Sequence, residues 1–248
     1  MRAYFHLPYR QTDWRRSTST HAANTLPSSI PDYSRICRRI NRLNIKISDN
    51  DKSNLYDDNF VIAIDSTTGV KVTNREEKGL DIRECQERLS KDTCCCIDIK
   101  RKRILSLQVT SEQVHDGKVL PKLVDDITIK NNKIIDMTIA DSAYDSNNNF
   151  QFLSFKGINP AIKVRKNSRC RKTNHYQRNK TVKMQKNNLQ NWKNSVSYGQ
   201  RWIAETVFSC MKRMFGREYV TAIRLENMIK EIVLKALLYN WFISITIV

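Results

Sequence analysis

Acidic residues are missing where basic ones are densest. Between Asp145 and Glu205 there are none, while Lys163, Arg165, Lys166, Arg169, Arg171, Lys172, Arg178, Lys180, Lys183, Lys186 and Lys193 crowd into that gap. Over all 248 residues, 43 Lys and Arg stand against 25 Asp and Glu, a formal charge of +18. Self-repulsion of that size opposes compaction, so the excess serves a polyanionic partner rather than the fold. A membrane surface is the rival partner. The basic segment 163–193 lacks the Leu/Phe stripe of an interfacial helix and is rich in Asn and Gln instead. Long apolar runs are missing too: the longest, LLYNWFISITIV at the C-terminus, is too short to span a bilayer and contains Asn240. The first residues, MRAYFHLPYRQTDWRRS, contain no apolar h-region, so no signal peptide is expected. The seven cysteines include no C-x-x-C pair. Cys94, Cys95 and Cys96 fall in a predicted strand, where neighbours point to opposite faces, so the three cannot share one ion. An odd count without a framework argues for reduced thiols that serve as small core residues. These absences lead to the expectation of a soluble, cytoplasmic protein that faces nucleic acid and no membrane.

The chain then divides by pattern. Residues 1–50 are polar and basic, with prolines at 8, 27 and 31. Within them IPDYSRICRRINRLNIKI predicts a helix capped near Asp32 or Ser34, with Arg35, Arg38, Arg39 and Arg42 free for phosphates. It reads equally as the second helix of a helix-turn-helix or as a basic solvated arm, since QTDWRRSTSTHAANTLPSS before it has little apolar periodicity. From about residue 55 to 248 strands and helices alternate. FVIAIDS predicts a buried strand ending at Asp65, and TCCCIDI with RILSLQVT predicts a hairpin around Lys100–Arg103. VHDGKVLPKLVDDI is helical, either around Pro121 or starting at it. IIDMTIADSAYDS is apolar up to Asp141; FQFLSFKG predicts a helix, INPAIKV a strand, and two last helices cover about 198–215 and 224–243. The pattern gives an α/β fold with a mixed central sheet flanked by helices.

Two predicted strands end in aspartates, Asp65 and Asp141, and the helix near 200 carries the third carboxylate of interest. At about 100° per residue, Tyr198, Arg201, Glu205 and Lys212 share an arc of roughly 60°. Ile203, Val207, Cys210, Met211 and Met214 lie opposite. Charged residues on a surface helix are ordinary, and Arg201–Glu205 is a normal stabilising pair. If Asp65, Asp141 and Glu205 converge, however, three carboxylates without His or Cys suit Mg²⁺ or Mn²⁺ rather than zinc. Two such ions would fit phosphoryl transfer at a phosphodiester. Asp57, Asp58, Asp125, Asp126, Asp136 and Asp145 are decoys. His115 and Asp116, in V-H-D-G, read as a turn in which Asp116 caps the next helix, or as direct participants. Trp192 and Tyr176 either stack on bases or anchor loops.

Tyr198-x2-Arg201-x3-Glu205-x6-Lys212 matches the Y-R-E-K signature of DDE transposases of the insertion-sequence type, and the chain is most similar to their IS-five branch. IDSTTGVKV, IADSAYDSNNNFQFLSFKGINPAIKVRKNS, LSLQVTSEQVHDGKVLPKL and LENMIKEIVLKALLYNWF resemble further blocks of that family. The resemblance implies an RNase H-like catalytic domain over 55–248. In it Asp65, Asp141 and Glu205 would be the catalytic metal ligands for two Mg²⁺ or Mn²⁺ ions. It implies cleavage of double-stranded DNA at an element's terminal inverted repeats, then attack of the freed 3′-hydroxyl on target DNA. Arg201 would sit near phosphate and the metals, and Tyr198 and Lys212 would contact the transposon end. Lys163, Arg165, Lys166, Arg169, Arg171 and Lys172 would line the DNA. A homodimer on DNA, in a prokaryotic nucleoid, is the expected assembly. Residues 1–50 and 70–92 depart from the family pattern and the chain starts later than its members, as in a shortened copy. A DNA-binding protein without catalysis is therefore the alternative, with an RNase H-type nuclease on RNA–DNA hybrids behind it.

Overall fold

β-Branched and small apolar residues dominate FVIAIDS, TCCCIDI and RILSLQVT, and all three stretches are strands. The computed structural model describes residues 33–43, 45, 47, 60–67, 71–72, 91–111, 114–131, 134–170, 176–216, 219–220, 222 and 224–246. In chain order these form α1 (Tyr33–Arg42), β1 (Val61–Thr67), β2 (Lys71–Val72), β3 (Lys91–Asp98), β4 (Ile104–Ser111), α2 (Leu120–Asn131), β5 (Met137–Ala140), α3 (Asn147–Phe155), β6 (Asn159–Ile162), α4 (Tyr176–Asn187), α5 (Leu189–Ser195), α6 (Trp202–Phe215), β7 (Tyr219–Val220) and α7 (Leu225–Thr246). Short 3₁₀ turns occupy Asp116–Lys118, Ser142–Tyr144 and Tyr198–Arg201. Two units result. One combines Ile47–Gly69 with Ser90–Ser209; the other combines Met1–Lys46, Val70–Leu89 and Cys210–Val248, a grouping unlike a simple cut near residue 50.

The first unit holds a five-stranded sheet in the order β4-β3-β1-β5-β6. β3 pairs antiparallel with β1 and β4, whereas β5 runs parallel to β1 and β6 parallel to β5. An antiparallel meander continued by two parallel strands is the RNase H-like arrangement, so the α/β expectation holds. The central strands are covered on both faces: Ile62, Ala63 and Ile64 are buried, and so are the consecutive Cys94, Cys95 and Cys96. Those three thiols are core residues as expected, but Cys170 is exposed and Cys210 half-buried.

Leu120, Leu123, Val124 and Ile127 recur at helical spacing and put one face of α2 into the core beside Ile62, Ile64 and Leu105. Pro121 is the second residue of α2, so it opens the helix rather than bending it. α3 starts on Ser146, whose hydroxyl accepts from Asn149 N. It ends with Gly157 at φ +73°, Gly157 N bonding Ser154 O and Ile158 N bonding Leu153 O at 2.8 Å. The buried pair Leu153 and Ile158 completes this left-handed cap and turns the chain into β6.

The second unit contains a parallel pair, β2 with β7, and α7, which buries Met228, Ile232, Ala236 and Tyr239. Lys235 is buried there; its ammonium donates to Gly216 O at 3.0 Å and lies 3.4 Å from Glu231 Oε1. The arginine-bearing helix appears as α1, with Arg35, Arg38, Arg39 and Arg42 exposed. The other half of the anticipated helix-turn-helix lies outside the described residues.

Not all of the basic gap faces outward. Arg178 is buried on α4 and grips Asp145 through Nε–Oδ1 at 2.7 Å and Nη2–Oδ2 at 3.1 Å. Ser168 Oγ and Arg165 N also donate to Asp145 Oδ2. Asp145 borders the acid-free gap, so it is the carboxylate that an internal arginine there can reach. Burial pushes the Asp145 carboxyl up, but donors from Arg178, Ser168 and Arg165 outweigh it and hold the group below its ordinary value of 3.8. Its contribution to stability is therefore present above the unfolded value and lost as pH falls below about 4. Arg178→Met should destabilise this unit by about 3 kcal/mol at pH 7, since it strands a buried carboxylate. Asp145→Asn should lose much of the acid sensitivity below pH 4; urea melts between pH 3 and 7 check both.

Candidate catalytic site

Asp65 and Asp141 reach the same edge of the sheet because β1 and β5 are parallel and in register. Ile64 faces Ala140 across the ladder, so the next residue on each chain is an aspartate. β1 continues through Asp65 to Thr67, two residues further than FVIAIDS suggests. Asp141 lies just past β5 and caps the 3₁₀ turn that follows, its Oδ1 accepting from Ala143 N at 2.8 Å. Asp65 Oδ1 accepts from Ser66 N at 3.1 Å.

Glu205 arrives by another route. The stretch from Tyr198 is not one continuous α-helix: Ser197 is left-handed at φ +49°, Tyr198–Arg201 forms a 3₁₀ turn, and α6 begins at Trp202. The arc computed for a uniform helix therefore fails at its first member. Tyr198 is buried, packs against buried Trp192 with ring centroids 5.2 Å apart, and donates its hydroxyl to Ala140 O at 3.3 Å. Burial raises the phenol to about 12, with Arg201 opposing that shift. Tyr198 thus points into the fold and bolts its turn to the residue before Asp141. Trp192 is a loop anchor, while Tyr176 is exposed.

Three residues after that bolt, Arg201 Nη1 lies 3.3 Å from Asp65 Oδ2, and Nη2 donates to Glu205 Oε1. Arg201 is one cation shared by two carboxylates that are 140 positions apart in sequence. Burial lowers its proton affinity, but Asp65, Tyr198, Glu205 and Asp141 together raise it above the ordinary value. Asp65 is the costliest member. Desolvation lifts its pKa from 3.8 to about 6 against the pull of Arg201 and Ser66, with Asp141 and Glu205 adding repulsion. Glu205 itself is exposed at the start of α6. On α6 the apolar side is as expected, with Ile203, Val207, Phe208 and Met211 buried. Lys212 follows on the same helix but belongs to the second unit.

Among the described residues, no three His, Cys, Asp or Glu side chains stand close enough to hold one ion. The full convergence of Asp65, Asp141 and Glu205 is therefore not present; the Arg201 guanidinium lies against two of them. The donor set nonetheless fits a hard divalent cation, being all carboxylate oxygen. The raised Asp65 carboxyl is also a group that added positive charge would relieve.

Sequence reasoning assigned Asp116 to capping. The cap of the Asp116–Lys118 turn is instead His115, whose Nδ1 accepts from Gly117 N at 3.1 Å. Asp116 reaches across 50 residues to take the hydroxyl of Ser66, next to Asp65, at 2.6 Å, and lies 3.9 Å from Cys94 Sγ. No local pattern announces that brace. Of the expected DNA contacts, Lys163, Arg165, Lys166 and Arg169 are exposed, and Arg171 and Lys172 lie outside the described residues.

A family model described as a transposase DDE domain matches residues 58–241. The chain belongs to that family. A second transposase DDE domain model matches residues 1–75. Among solved structures, the cryo-EM piggyBac transposase synaptic complex with hairpin DNA is similar at 11% identity and a TM-score of 0.42. That match covers 74% of this chain and 46% of the other, so the chain spans less than half of the protein it matches. No helix among the described residues is long and apolar enough to cross a membrane.

The electrostatics give this carboxylate site a testable pH signature. The folded Asp65 holds its proton up to about pH 6 and the unfolded one only to 3.8, so stability falls as pH rises through that window. In EDTA, Asp65→Asn should be more stable than wild type at pH 7.5 by about 1–3 kcal/mol, with the difference shrinking below pH 4. Thermal melts at both pH values check this, and equal melts would show that Asp65 is not strained by its burial.

Proposed function

We propose that this chain is an insertion-sequence transposase of the IS-five branch. In this reading it cuts DNA at the terminal inverted repeats of its element and joins the freed 3′ ends to target DNA. The observation that carries the reading is the meeting of register-paired Asp65 and Asp141 with the Arg201–Glu205 pair, which reaches Asp65 through the guanidinium. Asp65, Asp141 and Glu205 would hold Mg²⁺ or Mn²⁺, two ions in all. Bound there, the metal would neutralise phosphodiester charge and activate the attacking oxygen.

The side chains divide the remaining work. Asp65 and Asp141 sit on strand ends that the core keeps rigid, so their carboxylates are held in place before DNA arrives. Arg201 neutralises Asp65 and Glu205 in the free protein; with DNA bound, its five donors suit a phosphate and leave the carboxylates available. Tyr198 positions Arg201 by fixing the 3₁₀ turn to Ala140 rather than by touching the transposon end. Exposed Lys163, Lys166 and Arg169 supply salt-dependent attraction to the backbone. The exposed arginines of α1, and Lys212, would add contacts at the element's ends, on a homodimer that brings two ends together.

The second reading, a DNA binder without catalysis, is favoured by one observation: in this structure the two carboxylates are tied to Arg201 instead of gathered about a shared point. Wild type and Glu205→Gln, incubated with Mg²⁺ or Mn²⁺ and DNA carrying the element's ends, separate the two. The transposase reading expects cleavage and joining by wild type and a loss of about 10²–10³-fold in the variant, the scale of removing one essential electrostatic group. Binding without cleavage by wild type would favour the second reading.

A further inference from the structure

His115 and Arg165 face each other in a way that leaves an acceptor missing. His115 Nδ1 accepts the Gly117 N–H at 3.1 Å, which requires that nitrogen to be unprotonated and puts the ring proton on Nε2. Yet Nε2 lies 3.0 Å from Arg165 Nη2, itself a donor with no lone pair to offer. Two N–H groups therefore point at each other. Both side chains are exposed.

The positions of the two are set independently. Arg165 is held by its Nε donating to Ser142 O at 3.2 Å and by its backbone N–H on Asp145. Ser142 is the residue after Asp141 and opens the turn that Asp141 caps. His115 is held by its own turn, which packs on the same segment: a Cβ at Gly117 would stand 3.1 Å from Ala143 O and 3.2 Å from His115 Nδ1. A side chain there would crowd both groups, so glycine suits that close approach. The pair is thus built onto the turn that carries Asp141.

We infer that His115 and Arg165 form a clamp for one oxyanion, a DNA phosphate, bound between imidazole Nε2–H and the guanidinium. An anionic oxygen supplies the acceptor that both donors lack, with both bonds charge-assisted and the guanidinium bond an ion pair as well. The inference rests on the DNA-processing reading of the same site. It adds His115 as a phosphate ligand and gives Arg165 a defined partner in place of diffuse attraction.

Glutamine and asparagine at position 115 separate this role from turn capping. Asparagine places its amide near Nδ1 and can keep the cap, whereas glutamine carries a donor out toward Nε2 and gives up the cap. The experiment measures affinity for a duplex of the element's end in EDTA, where no cutting occurs, for wild type, His115→Asn, His115→Gln, Arg165→Gln and the His115→Asn/Arg165→Gln double variant. The clamp predicts five- to tenfold weaker binding for His115→Asn, near wild-type binding for His115→Gln, and a double variant little worse than Arg165→Gln alone. The dependence of log affinity on log salt should fall by about one phosphate's worth in Arg165→Gln. The reverse order, with asparagine like wild type and glutamine weak, would make His115 a turn cap only and overturn the clamp. Strictly additive losses would overturn it as well. Either of those results leaves the transposase reading intact, whereas a wild type that does not bind the duplex at all overturns both.

Discussion

Parallel register between β1 and β5 is the constraint on which the site depends. Once Ile64 is opposite Ala140, Asp65 and Asp141 must emerge side by side, whatever their charges prefer. A slip of one residue would turn Ile62 and Ile64 to the other face and exchange their core contacts, so apolar packing fixes the pairing. The fold thus forces an unfavourable arrangement of acids. The raised Asp65 carboxyl registers chiefly the burial of this edge, with repulsion from Asp141 and Glu205 adding to it.

Arg201 is the counterweight, and its position is inherited rather than local. Tyr198 ties its turn to Ala140 O, and Trp192 supports the tyrosine from α5. The left-handed Ser197 directs the chain into that turn at a conformational cost of about 1 kcal/mol for a residue with a side chain. That strain lies directly before the turn that carries Arg201. Arg201 therefore reads the sheet edge through a tyrosine, a carbonyl and a register.

Much of this fold was legible because it is written locally. The hairpin of β3 and β4, the helix carrying FQFLSFKG (α3) and the helix near Pro121 (α2) each follow from patterns within about a dozen residues. The acid-free gap correctly pointed to a basic stretch, but charge alone did not reveal that Arg178 turns inward to Asp145. A side chain's destination depends on what lies behind it, which composition does not encode. The uniform-helix arc erred for a related reason: periodicity assumes one α-helix, and the 3₁₀ turn over Tyr198–Arg201 shifts the phase before α6 begins. The Asp116–Ser66 brace was invisible, since its two ends are 50 residues apart and neither is unusual where it stands.

The inward position of Tyr198 gives the Y-R-E-K spacing a structural reading. A residue can recur at a fixed distance from a catalytic glutamate without touching any ligand, if that distance is what aims its neighbour. Tyr198 is buried and engaged with a main-chain carbonyl, so losing its hydroxyl would act through Arg201 and leave the carboxylates chemically unchanged. The same logic applies to Asp116, whose hold on Ser66 steadies the strand just beyond Asp65. In both cases the edge that carries the aspartates is braced from the side by polar bonds to residues adjacent to them. Rigid strands set where the charges are, and these lateral bonds set how far each can turn.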